Sequence, residues 1–197
     1  MVNSIAVPAI FLELLKASGA QLRPHSRRTL MDHLVGVYVI LQQWGAEQYV
    51  CNAGLFHSIY GTNVFKHESI ALSDRQRVAG IIGEKAEVLA YQFCSLDRPH
   101  ALIQMIEGVA PLDRYTQKLS VITQVALRQL VQIEAANLIE QGGRGASLHT
   151  IFCQAVVDKT LLSEATYHSV KKFLSSPLVS LQHAKKPLTA PNQMLVV

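Results

Sequence analysis

The tightest constraint in this sequence is a helical spacing of apolar residues, with almost no strand-like alternation beside it. Leu30, Leu34, Val37, Leu41 and Trp44 recur at three- and four-residue steps. That spacing marks one face of a helix from about Ser26 to Trp44, with Pro24 and Gly45 as its start and stop signals. A second helix is expected from about Ala46 to Ile59, ended by Tyr60-Gly61-Thr62-Asn63. Ser73, with Gln76 three residues on, reads as a capping box opening a short helix that closes at Gly83. Glu84 to Phe93 continues helically, and Pro99 limits any extension beyond it. The longest helix is expected from about Asp113 to Gln141, on the stripe Leu119, Ile122, Val125, Ala126, Leu130, Ile133, Ala136 and Ile139. Gly142-Gly143-Arg144-Gly145 breaks it. With no strand before it and no Lys-Ser/Thr after it, this run is a turn rather than a phosphate cradle. A last helix spans about Ser163 to Leu174. The expected architecture is all-α, one helical-bundle domain over residues 1–175 and an extended, proline-bearing tail over 176–197.

A chain of 197 residues, 49% hydrophobic, is ample for one core. Its charged fraction, 16%, lies below the roughly 25% of ordinary soluble domains, which together with the tail points to hidden surfaces and a homodimer. Eighteen Lys and Arg against fourteen Asp and Glu give a scattered net charge of +4. No basic stripe emerges, so nucleic acid is not an expected partner. The N-terminal MVNSIAVPAIFLELLKASGAQL has no basic region ahead of its apolar residues, and Glu13 and Lys16 interrupt them. It reads as an amphipathic helix rather than a signal peptide. No run approaches the ~18 apolar residues that span a bilayer, so no membrane is expected. Cys51, Cys94 and Cys153 form no CxxC pair; free buried thiols in a cytoplasmic protein are the expectation.

The chemistry concentrates in the histidines. Of eight, His67, His100, His149, His168 and His183 fall near expected loops or polar faces and read as surface imidazoles. His25, His33 and His57 lie near the first two helices. His33 precedes Val37 by one turn, and His57 ends the apolar run Ala53-Gly54-Leu55-Phe56, whose small residues allow close helix approach. A buried polar ring must find partners. His33, His57, Ser58, Tyr60 and Asn137 would then line a polar site, one histidine acting as general acid or base and Tyr60 or Asn137 orienting a small-molecule ligand. Helix neighbours point about 100° apart, so Ser58 would pair with His33 rather than with His57.

A helix bearing His, about two dozen residues, then Ala-Ala-Leu-Leu-His-Asp is the hallmark of the HD-domain superfamily of metal-dependent phosphohydrolases. His33 followed by Ala53-Gly54-Leu55-Phe56-His57-Ser58 resembles it. Within that superfamily the similarity is to the alarmone, (p)ppGpp-degrading branch. Ile82-Gly83-Glu84-Lys85-Ala86-Glu87-Val88-Leu89 is similar to its Phe-Gly-x-x-Val-x-x-Leu-Val run, and Leu130-Val131-Gln132-Ile133-Glu134-Ala135-Ala136-Asn137 to its Leu-Ile-Lys-Leu-Ala-Asp segment. The resemblance covers residues 25–141. The string from Gly54 to Thr62, GLFHSIYGT, also resembles an HD-like group to which no activity attaches.

The resemblance implies an HD-like bundle and a small-molecule enzyme. Its His33 and His57 would hold a divalent metal, Mn²⁺ or Fe²⁺, over a small polar or phosphorylated substrate. Ser58 and Asn137 stand where the metal-binding aspartates are expected, and Tyr60-Gly61 replaces an acidic pair. Two imidazoles and two carboxylates suit Mn²⁺ or Fe²⁺, whereas a hydroxyl and an amide donate more weakly. Substitute donors would be His25, eight residues before His33, and the carboxylates Asp32, Glu87 and Asp97. Thr62, Glu87, Arg98 and His25 complete the expected ligand-binding set. Three alternatives stay open: metal-free histidine chemistry, a non-haem iron oxygenase, and a degenerate non-catalytic module that binds a nucleotide or metabolite.

Overall fold

Thr29 opens the helix that carries His33. Its Oγ1 accepts the Asp32 backbone N–H at 3.1 Å, while the Asp32 carboxylate accepts the Thr29 N–H at 3.1 Å and its hydroxyl at 2.7 Å. This reciprocal capping box satisfies two backbone donors and starts helix α2 at Leu30 (Leu30–Gln43). The start is later than the apolar spacing alone suggested. It commits Asp32 to the cap and leaves His25 outside the helix.

The computed structural model describes residues 6–25, 28–142, 152–157 and 161–175. Helix α1 (Ala9–Ala17) leads into an antiparallel pair, β1 (Pro24–His25) and β2 (Arg28–Thr29), then α2 and α3 (Gln48–Leu55). Helices α4 (Arg75–Ile82), α5 (Glu84–Ser95) and α6 (His100–Ile106) come next. A second small pair, β3 (Leu112–Asp113) and β4 (Lys118–Leu119), precedes α7 (Gln124–Glu140). Helix α8 covers residues 152–157 and α9 is Glu164–Leu174. The fold is all-α, and α2, α3, α5 and α7 pack on one another at its centre. One apolar core runs from Phe11 and Leu15 through Val37, Leu55, Phe93 and Leu130 to Val170. No described helix is long and apolar enough to cross a membrane. The three cysteines are free and buried, and burial pushes the thiols of Cys51 and Cys94 up to about 11 and that of Cys153 to about 12.

Four boundaries differ from expectation, each for a local reason. Helix α3 stops at Leu55, not Ile59, because His57 Nδ1 donates to the Gly54 carbonyl at 2.7 Å. A side chain there takes one of the carbonyls that a helix C-terminus leaves unpaired. Ser73 lies inside a 3₁₀ turn, Leu72–Asp74, and Asp74 precedes α4 without a side-chain cap, so the Ser73 capping box does not form. Asp113 starts a turn rather than a helix, its Oδ1 accepting the N–H groups of Tyr115 at 2.8 Å and Thr116 at 3.0 Å. Such local carboxylate bonds compete with helix formation, and α7 begins only after Thr123, whose hydroxyl accepts the Ala126 N–H at 3.1 Å. Helix α6 occupies the stretch beyond Pro99 where no element was foreseen. The last helix matches, capped by Ser163. Gly142, at φ 67°, ends α7; the remainder of the glycine run and the 176–197 tail lie outside the described residues.

Gly54 fixes how closely α2 and α3 approach. A Cβ there would sit 2.2 Å from Leu41 Cδ1 and 3.4 Å from Val37 Cγ1. Gly54→Ala should therefore cost about 1–3 kcal/mol through overpacking, read as a lowered urea midpoint. An unchanged midpoint would mean that the contact is loose.

Candidate functional site

Helix α2 and the turn after α3 bring the two expected histidines together. His33 Nε2 and His57 Nε2 are 3.3 Å apart, the rings meeting edge to face at 82°. Both side chains are buried. Their outer nitrogens are also engaged. His57 Nδ1 bonds the Gly54 carbonyl, and His33 Nδ1 bonds Glu140 at the end of α7. Glu140 takes Arg28 of β2 as well. Its carboxylate fits because position 36 is glycine: a Cβ there would lie 2.6 Å from Glu140 Oε1 and 2.8 Å from its Cγ.

The hydrogen bonds restrict where protons sit. A carbonyl only accepts, so His57 carries its proton on Nδ1 and presents a lone pair at Nε2. The Nε2–Nε2 contact then needs a proton on His33 Nε2, and the His33–Glu140 contact needs a second one between its partners.

The pair faces a cavity of about 490 Å³. His25 reaches it from β1, its ring stacked on His33 at 4.4 Å between centroids and a 32° tilt. Ser58, Thr62 and Asn63 form a second wall, and Asp97, Arg98, Glu134 and Asn137 a third. His25 Nε2, Ser58 Oγ and Asn63 Oδ1 are buried there without a hydrogen-bond partner. The third wall, by contrast, is bonded within itself. Arg98 donates from Nε to the Phe93 carbonyl at 2.7 Å, pairs through Nη1 with Glu134 and lies 3.5 Å over the Phe93 ring. Asn137 Nδ2 donates to Glu134 Oε2 at 3.3 Å, and its Oδ1 accepts from Gln141 at 2.8 Å. Asp97 Oδ1 accepts from Asn63 Nδ2 at 2.7 Å rather than pairing with Arg98.

His33, His57, Ser58, Asn137, His25, Thr62, Arg98 and Asp97 thus share one cavity. Tyr60 and Glu87 do not. The turn after α3 swings Tyr60 away, and its hydroxyl donates to Glu87 Oε1 at 2.9 Å. Arg75 grips the same carboxylate at 2.7 and 2.9 Å and lies 3.6 Å over the Tyr91 ring. Burial, then the Glu87 charge, pushes the Tyr60 phenol far above its usual range. This cluster ties α3 to α4 and α5. The expected Ser58–His33 bond is absent too, since Ser58 Oγ has no partner. Sequence reasoning missed Glu140, Asn63 and Glu134. Glu134, Asn137 and Gln141 are spaced three and four residues apart on α7, so a search for polar residues on its buried face would have found that row.

The implied metal can be tested against these donors. Two imidazole nitrogens 3.3 Å apart match the span expected on a tetrahedral ion with bonds of about 2.0–2.1 Å. The rest of the donor set is missing. Ser58 and Asn137 offer no carboxylate, and Asn137 and Asp97 are already bonded. Among the described residues no group of three or more His, Cys, Asp and Glu is placed to hold an ion. The residues do not fit Mn²⁺ or Fe²⁺.

Residues 14–98 match the family model of a domain of unknown function (DUF6817). The match takes in the cavity residues from His25 to Arg98 and leaves out Pro99, His100 and those of α7. A search of curated proteins finds no match, and a search of solved structures finds none.

Burial, then neighbouring His33, holds His25 at about 4 against an ordinary 6.5, and the same two causes push His57 well below that value. The unfolded chain takes protons on both rings as pH falls through about 6.5 while the folded chain refuses them. Their contribution to stability is therefore full above that pH and lost toward 4. The thermal midpoint should drop across this window, less steeply in His25→Asn. Identical slopes in the two proteins would contradict this assignment.

Proposed function

We propose that this chain is a small-molecule enzyme on an HD-like helical scaffold, working by histidine acid–base chemistry without a metal. The observation that carries the reading is the 3.3 Å Nε2–Nε2 contact at the wall of a cavity with unpartnered polar atoms. In this reading a ligand that enters displaces the contact. His57 Nε2 then acts as general base, and His33 Nε2–H as general acid. Glu140 orients His33, and the Gly54 carbonyl holds His57 in the tautomer whose lone pair faces inward. Ser58 and His25 supply hydrogen bonds that orient the substrate. Positioned proton transfer of this kind contributes about 10²–10⁴ in rate.

A second reading, a binding module without turnover, draws support from the third wall, where Asn137 and Arg98 are bonded to their neighbours. One experiment separates the two. Chelator-treated protein is incubated with a panel of esters, amides, hydroxy and keto compounds and phosphomonoesters, beside His33→Gln and His57→Gln variants. Turnover that persists in chelator and falls about 10²-fold or more in His57→Gln supports the enzyme. Turnover only after adding Mn²⁺ or Fe²⁺ would overturn the metal-free mechanism, and binding without turnover would favour the module.

A further inference from the structure

We infer that the cavity takes an uncharged small molecule bearing hydroxyl or amide groups, and not a phosphorylated anion. This rests on the proposed function for the identity of the site, and it adds the class of substrate.

Charge disfavours a phosphorylated ligand. Among the described residues, each cation at the cavity wall has a carboxylate beside it. Arg98 is paired with Glu134, both buried. Glu140 stands against His33 and also holds Arg28. Asp97 adds a carboxylate whose Oδ1 meets the Asn63 amide at 2.7 Å, and His25 stays neutral near pH 7. A phosphate entering here would lose its hydration without meeting, among the described residues, a cation that lacks a carboxylate. Drawing Arg98 away from Glu134 would strand that carboxylate in the interior, which is a costly exchange.

Hydrogen-bond polarity points the same way. Asn63 Nδ2 donates to Asp97 Oδ1 at 2.7 Å and to the Arg98 carbonyl at 2.9 Å. Both partners are acceptors, so the orientation of the amide is settled and Oδ1 needs a donor. Ser58 Oγ is buried without a partner and can both donate and accept. A phosphate dianion offers acceptors only and leaves Asn63 Oδ1 unmet. A hydroxyl or an amide can serve both atoms. The 490 Å³ volume suits a ligand of sugar or nucleoside size.

The test is calorimetric binding to the full chain using matched probes: uridine against UMP, glucose against glucose 6-phosphate, and inorganic phosphate alone. The uncharged member of at least one pair should bind about tenfold or more tighter than its phosphorylated partner, and phosphate should not compete. Ser58→Ala removes a hydroxyl with no protein partner, so its thermal midpoint should hold while that binding weakens severalfold. Tighter binding of the phosphorylated members, no binding by either uncharged probe, or unchanged binding in Ser58→Ala would overturn the inference. Binding of the uncharged probe without any turnover would count against the proposed enzyme and leave this ligand class standing.

Discussion

Two imidazole nitrogens 3.3 Å apart cannot both point bare lone pairs at each other inside a protein. Something positive has to lie between them, a proton or a metal ion, and the remaining features of the site depend on which one it is. The outer nitrogens are tied to Glu140 and the Gly54 carbonyl, an arrangement that suits either occupant, since histidines on metals also donate their outer N–H to such acceptors. Among the described residues no third His, Cys, Asp or Glu is placed with the pair to hold a dication. A proton needs only an acceptor, and His57 Nε2 supplies one.

The fold serves this contact with ordinary devices. The Thr29–Asp32 capping box fixes the register of α2 and therefore where His33 points. The His57 bond to Gly54 terminates α3 and selects the ring's tautomer in one step. Gly54 lets α3 lie close against α2, and Gly36 opens the notch through which α7 delivers Glu140. A side chain at either glycine would push apart groups whose chemistry depends on tenths of an ångström.

Much of this was legible in the sequence. The three- and four-residue spacing of Leu30, Leu34, Val37 and Leu41 marks a buried helix face, and all four are buried. His33 and His57 stood out as rings among apolar neighbours, and they meet. What the sequence did not carry was direction. Tyr60 was expected at the polar site, but the turn at Phe56 sends it to Glu87, which Arg75 also grips. His25, a substitute donor eight residues before His33, arrives by a two-residue strand, which no helical periodicity could indicate. Glu140 was invisible for another reason. Its partner lies 107 residues away, and a long-range bond leaves no local pattern; its only trace is the glycine at position 36 that makes room for it.

The central claim is best tested by nitrogen-15 NMR of the imidazole rings in metal-free protein near pH 7. A proton-bridged pair predicts hydrogen on His33 Nε2 and on His57 Nδ1, with His57 Nε2 bare and accepting. Finding both Nε2 atoms bare, with the His33 hydrogen on Nδ1 alone, would contradict it and would mark the space between the rings as a place for a metal.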